Sequence, residues 1–209
     1  MQIIPAILSQ TPEDLLEKCA LVDGLVSRIQ IDIVGRAFSS ELSVGIETLE
    51  RLQTSACVDV QLMVREPITF LNRCEIYGID RVFGHVEYMR DQQAFIEYAL
   101  ASGMQVGLAI DLETPVSSIE KTVGDLDAVL LMSVLAGKSG QSFDKRVLQK
   151  ISELRSLRLD LPICVDGGVT LSVIKPLISA GATEFAVGSF LWESKNIKQT
   201  LADFLEAAR

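Results

Sequence analysis

The chain has 209 residues, of which 48% are hydrophobic and 22% charged, with a formal net charge of -9 at pH 7. That length suits one well-buried domain, residues 1–209, and is short for two. The acidic balance excludes a nucleic-acid binder, which needs clustered Lys and Arg to neutralise phosphates, but it leaves room for a small anion held by local N–H groups. Pro5, Pro12, Glu13 and Asp14 follow a start without basic residues, which argues against a secretory leader, and no apolar run reaches membrane-spanning length. Cys19, Cys57, Cys74 and Cys164 show no metal-type pairing and read as buried free thiols of a reducing cytoplasm.

Short apolar runs alternate with amphipathic stretches along the whole chain, the pattern of repeated βα units. Strands are predicted over Ile3–Leu8, Arg28–Ile33, Val58–Met63, Arg81–His85, Gln105–Ile110, Ala128–Met132, Pro162–Val165 and Glu184–Val187. Helices are predicted between and after them, near Pro12–Leu21, Val44–Thr54, Pro67–Tyr77, Asp91–Ser102, Val116–Val123, Lys145–Arg158, Leu171–Ala180 and Lys195–Ala208. Thr11 and Thr170 stand where N-caps belong, and Gly78, Gly103 and Gly181 where helices should stop. Eight such units predict an α/β fold, a compact (β/α)8 barrel, with an open doubly wound sheet as the alternative.

The period of two along a strand puts Gln30, Asp32 and Val34 on one face, Asp59, Gln61 and Met63 on one face of the next strand, then Phe83 with His85, and Cys164 with Asp166. Polar groups at the carboxyl ends of barrel strands lie where active sites are built. Asp32, Gln61, His85 and Asp166 are therefore expected at one rim. The last two strands both end in glycine, at Gly167-Gly168 and at Gly188-Ser189. Glycine leaves backbone N–H groups open, so this pair of turns is a candidate phosphate cradle beside Asp166, although chain reversal alone would also place glycines there.

Several segments together resemble the ribulose-phosphate 3-epimerase family over nearly the whole chain. They are Ala6-Ile7-Leu8-Ser9, Gln30-Ile31-Asp32-Ile33, Asp59 to Val64, His85-Val86-Glu87, Gly107-Leu108-Ala109-Ile110, Leu131-Met132-Ser133-Val134, Gly140-Gln141-Ser142-Phe143, Val165-Asp166-Gly167-Gly168 and Gly188-Ser189. The resemblance implies a phosphorylated sugar as partner, a homo-oligomer, no organic cofactor, and two aspartates that exchange the C3 proton through an enediolate stabilised by a divalent metal. By position those aspartates are Asp32 and Asp166. Substrate and phosphate contacts fall on Ser9, Met63, Met132, Gly137, Gly140, Gly167, Gly168, Gly188 and Ser189.

The departures cluster at the same rim. The family's two metal-binding histidines are replaced by Gln30 and Gln61, so the matching metal set is Asp32, Asp166, Gln30 and Gln61. An amide oxygen suits Mg²⁺ or Mn²⁺ better than Zn²⁺. Val34-Gly35-Arg36 replaces a Met-Asp-Gly run, and Leu135 to Gln141 replaces the lid, which normally reads Asn/Glu-Pro-Gly-Phe-Gly-Gly-Gln. Arg36 and Lys138 are new cations and candidate substrate contacts, as is His85. Surface solvation, core packing and a structural hydrogen bond are the plainer roles for Arg36 and Lys138, for Met63 and Met132, and for His85, respectively.

Two functions follow, a phosphosugar 3-epimerase and a phosphosugar-binding paralogue without catalysis. Decarboxylation or aldol chemistry in a related barrel needs a lysine two residues after an aspartate on the third strand. Here Asp59 is followed by Val60 and Gln61.

Overall fold

The structure, a computed structural model, describes residues 1–138 and 140–209. Ser139, part of the lid segment singled out above, lies outside the described residues. Among the described residues eight parallel strands close into a barrel in sequential order: β1 (Gln2–Ile7), β2 (Arg28–Val34), β3 (Cys57–Met63), β4 (Arg81–His85), β5 (Gln105–Ile110), β6 (Ala128–Met132), β7 (Ile163–Asp166) and β8 (Glu184–Val187). Pairing of β1 with β8, from Gln2 opposite Glu184 to Pro5 opposite Val187, closes the ring and rules out the open sheet.

Among the described residues there are seven α-helices: α1 (Pro12–Val22), α2 (Leu71–Ile76), α3 (Gln92–Ala101), α4 (Arg146–Leu157), α5 (Leu171–Ala180), α6 (Ser189–Trp192) and α7 (Ile197–Ala207). Two expected helices are not α-helical. Ile46–Arg51 is a 3₁₀ stretch, and Val116–Val123 breaks into 3₁₀ turns at Val116–Ile119 and Val123–Asp125. The second is short, rich in β-branched residues and bounded by Pro115 and Gly124, which leaves little to propagate a helix. Thr11 caps α1 as expected, its hydroxyl accepting from Asp14 N at 3.3 Å. Thr170 does not cap α5; its hydroxyl pairs with Ser172 Oγ instead, at 2.9 Å. Gly78, Gly103 and Gly181 follow helix ends with positive φ.

Alternation along the strands divides the core in two. Ile29, Ile31 and Ile33 of β2, like Val60 and Leu62 of β3, face outward into the apolar layer beneath the helices. Ile4, Phe83, Leu130 and Cys164 fill the barrel with smaller residues such as Ala109 and Ala186. The inward polar residues occupy only the two ends of this interior. At the amino end Asp59, Arg81 and Glu184 are buried. At the carboxyl end are Asp32, Gln61, His85 and Asp166, on one rim as the strand period predicts.

Candidate functional site

Parallel register sets Asp32 opposite Gln61 across β2 and β3, and Met132 opposite Asp166 across β6 and β7. Ser133 ties the ends of β6 and β7 together, its N–H donating to Asp166 O at 2.7 Å and its hydroxyl to the same carbonyl at 3.1 Å. Across the barrel, Gln30 Nε2 lies 2.9 Å from Asp32 Oδ1, 2.8 Å from Asp166 Oδ2 and 2.8 Å from Gln61 Oε1. The Gln61 head group approaches the same two carboxylate oxygens, at 3.0 Å from Asp32 and 2.8 Å from Asp166. Behind it His85 Nε2 meets the Gln61 amide at 2.9 Å, and His85 Nδ1 meets Glu87 Oε2 at 3.1 Å.

These contacts constrain the protons. With Gln61 Oε1 toward the aspartates, its nitrogen donates to His85 Nε2 and to Met132 Sδ, but its oxygen faces two carboxylate oxygens. Turning the amide lets its nitrogen donate to both aspartates, yet brings it 2.8 Å from Gln30 Nε2, donor against donor. Two ionised aspartates leave a clash in either arrangement. One proton on the pair relieves the clash at the carboxyl that carries it, because a carboxylic O–H can donate to Gln61 Oε1. Burial raises the pKa of Asp32 well above the ordinary carboxylate value, and the charge of Asp166 raises it further, against the pull of Gln30. Burial pushes Asp166 up to about 6, opposed by the hydrogen bonds from Gln30 and the Gly167 N–H. The pair titrates as a unit, and its geometry and its burial both favour a shared proton.

The divalent metal implied by the resemblance does not suit this donor set. Among the described residues no group of three or more His, Cys, Asp and Glu is placed to hold an ion. The atom between the two carboxylates is an amide nitrogen, which donates hydrogen bonds and cannot ligate. Gln30 Oε1, the atom an ion could use, is buried without a partner. Gln30 and Gln61 therefore act here as hydrogen-bonding groups toward the aspartates.

Above the cluster opens a cavity of about 330 Å³, in the range of small-molecule sites. Asp32 and Asp166 form its floor, with Met63 and Met132 beside them; Gly137, Lys138 and Gly140 come from the loop after β6, Gly167 and Gly168 from the turn after β7, and Gly188 and Ser189 from the turn after β8. The glycines have different reasons to be there. A Cβ on Gly168 would lie 2.4 Å from Phe143 N and 2.8 Å from Gln141 O, so the lid itself requires that residue. A Cβ on Gly188 would come no closer than 3.7 Å to anything, Ala6 O being nearest, so no neighbouring protein atom accounts for that glycine. An open backbone beside a hydroxyl is what an anionic group needs.

Other expected contacts lie elsewhere. β1 ends at Ile7, and Ser9 beyond it is buried with no partner for its hydroxyl and does not line the cavity. Arg36 is exposed and also off the cavity wall. His85 is fully buried behind Gln61, with the Phe38 ring edge-on at a centroid distance of 4.9 Å, so it reaches the cavity only through the amide. Lining residues that were not anticipated include Lys18 of α1, Trp192 of α6 and Glu193 just after it. Trp192 Nε1 donates to Ala6 O at 2.6 Å and Lys18 Nζ sits 5.8 Å from the Trp192 ring. Lys18 also pairs with Asp14 at 2.7 Å. A tryptophan three residues after the Gly188-Ser189 turn was the available signal; the lysine, on a helix face, gave none.

Comparison with known proteins agrees with this architecture. The chain is 30% identical over 211 residues to a ribulose-phosphate 3-epimerase of Bacillus subtilis, covering 97% of both chains. It is 29% identical over 208 residues to the Escherichia coli K12 protein of the same name, covering 95% of this chain and 92% of that one. A crystal structure of 3-hexulose-6-phosphate synthase superposes with a TM-score of 0.78 at 17% identity over all of both chains, a likeness of fold alone. The profile of the ribulose-phosphate 3-epimerase family matches residues 2–192. The chain belongs to that family.

Proposed function

We propose that this protein is a phosphosugar 3-epimerase in which Asp32 and Asp166 exchange the C3 proton of a ketose phosphate. The observation that carries this reading is the pair itself: two buried carboxyls on the cavity floor, from β2 and β7, bridged by Gln30 Nε2 in surroundings that favour one proton on the pair. Epimerisation needs that state, one carboxylate to accept the proton from one face of the sugar carbon and one carboxylic acid to deliver a proton to the other. Removal of the C3 proton sends its electron pair toward the C2 carbonyl and forms the enediolate. Reprotonation from the opposite face restores the carbonyl and leaves the two aspartates with exchanged protonation states. That state is competent for the reverse reaction and is reset by exchange with solvent.

The open Gly188-Ser189 turn supports phosphate at the far side of the cavity. Exposed Lys138 on the wall is suited to the negative charge that develops on the enediolate. Relatives named ribulose-phosphate 3-epimerase suggest ribulose 5-phosphate as the first substrate to test. In a deuterated buffer the wild type should wash label into C3, and Asp32→Asn and Asp166→Asn should not.

A second reading, a phosphosugar-binding paralogue, is favoured by the replacement of both histidines and of the lid sequence. It predicts tight phosphosugar binding with no label incorporated, since binding alone cannot exchange a C–H proton.

A further inference from the structure

We infer that the carboxamide of Gln30 takes the place of the divalent metal in this chain, so that the aspartate pair is held together by hydrogen bonds and needs no ion. Bringing two buried carboxyls to one point is costly unless positive charge or hydrogen-bond donors stand between them. At the amino end of the barrel guanidinium groups fill that role. Here, among the described residues, no cation pairs with either carboxyl, and the group between them is Gln30 Nε2, at 2.9 and 2.8 Å from the two oxygens. The arrangement is backed in depth. Gln61 bonds Gln30 at 2.8 Å, His85 holds Gln61 at 2.9 Å, and Glu87 holds His85 at 3.1 Å. Glu87 is itself fixed, accepting from Asp111 N at 2.7 Å. Each of these links consists of hydrogen bonds that a metal at the cluster would have to break or turn.

The inference rests on the site placed above and not on its reaction, so its test is independent of turnover. The native, untagged chain, expressed with Mg²⁺, Mn²⁺ and Zn²⁺ supplied and purified without chelator, is assayed by elemental analysis and by thermal denaturation with EDTA or each ion. Less than about 0.1 equivalent of any divalent metal per chain is expected, with a melting temperature that neither EDTA nor the ions move by more than about 1 °C. The variant Gln30→His/Gln61→His should take up about one zinc per chain and melt about 4 °C higher or more with Zn²⁺ than with EDTA. Should that variant not fold, Gln30→Glu adds a third carboxyl and should become stabilised by Mn²⁺. About one equivalent of metal in the wild type, or a dose-dependent stabilisation of it by Mg²⁺ or Mn²⁺, would overturn the inference. So would a folded double-histidine variant that takes up no zinc. Absence of deuterium exchange with a metal-free wild type would sink the epimerase reading and leave this one standing.

Discussion

The two ends of the barrel bury similar numbers of carboxyls and treat them in opposite ways. At the amino end Asp59 is held by Arg28 and by Arg81 at 2.5 Å, and Arg81 reaches Glu184 at 2.7 Å and 3.2 Å. Burial works against the charge on Arg81, but Asp59 and Glu184 outweigh it and hold its pKa above the ordinary value. At the carboxyl end Asp32 and Asp166 have only amides and N–H groups, and their pKa values rise. The first arrangement sets cations against burial, which raises the pKa of Asp59 while Arg81 and Arg28 pull it down, and locks the base of the barrel. The second leaves a proton free to move under an open cavity, which is the property a proton-transfer site requires.

Substitutions at the two ends should separate stability from chemistry. Removing one carboxylate of the upper pair, as Asp32→Asn or Asp166→Asn, should lower exchange and turnover by about 10³-fold or more. The unfolding midpoint in urea should hold or rise, since one of two crowded buried acids is gone. A large loss of stability would mean that the upper pair is structural. Arg81→Leu should do the reverse, costing about 3–5 kcal/mol in urea unfolding because Asp59 and Glu184 lose their shared cation, with kcat of the surviving folded protein near the wild-type value.

Acidity should distinguish the ends more gently. Asp166 binds its proton more tightly in the folded chain than an ordinary carboxyl, so its contribution to stability is complete below about pH 4 and is lost as pH rises toward about 6. Urea unfolding of the wild type should therefore show stability rising as pH falls from 7 to 5, with a flatter profile in Asp166→Asn. Glu87 works oppositely, because its contacts with His85, Thr114 and the Asp111 N–H together outweigh burial and hold it down at about 2. Its contribution is intact across that window and is lost only at lower pH. The smallest effect is expected at the lid, where Lys138→Ala should reduce kcat/KM about tenfold without moving the unfolding midpoint. No change in either would remove Lys138 from the site.

The strand period was enough to read the fold and much of the site, because inward and outward residues of β2, β3 and β7 alternate without a bulge. Asp32, Asp166 and Met63 could be placed on the rim from that alone, whereas Met132 came from the family resemblance. Ser9, proposed from the family resemblance, lies past the last residue of β1, where alternation no longer sets direction. Lys18 escaped notice since its approach to the cavity depends on how α1 packs near Trp192, a tertiary fact. Gln30 and Gln61 read as weak ligands in the sequence. The role of Gln30 as a bridging donor, with Gln61 behind it, appears only when the closed barrel brings side chains of β2, β3 and β7 within 3 Å of one another at one point. The shortened 3₁₀ segments show the same limit: packing on the barrel, more than local pattern, decides whether such stretches become helices.

The most direct test of the account is NMR detection of solvent deuterium entering C3 of ribulose 5-phosphate, run on chelator-treated wild type beside Asp32→Asn and Asp166→Asn. The account predicts incorporation by the wild type in EDTA and none by either variant. Incorporation that persists in the variants, or that appears in the wild type only after a divalent ion is restored, would contradict it.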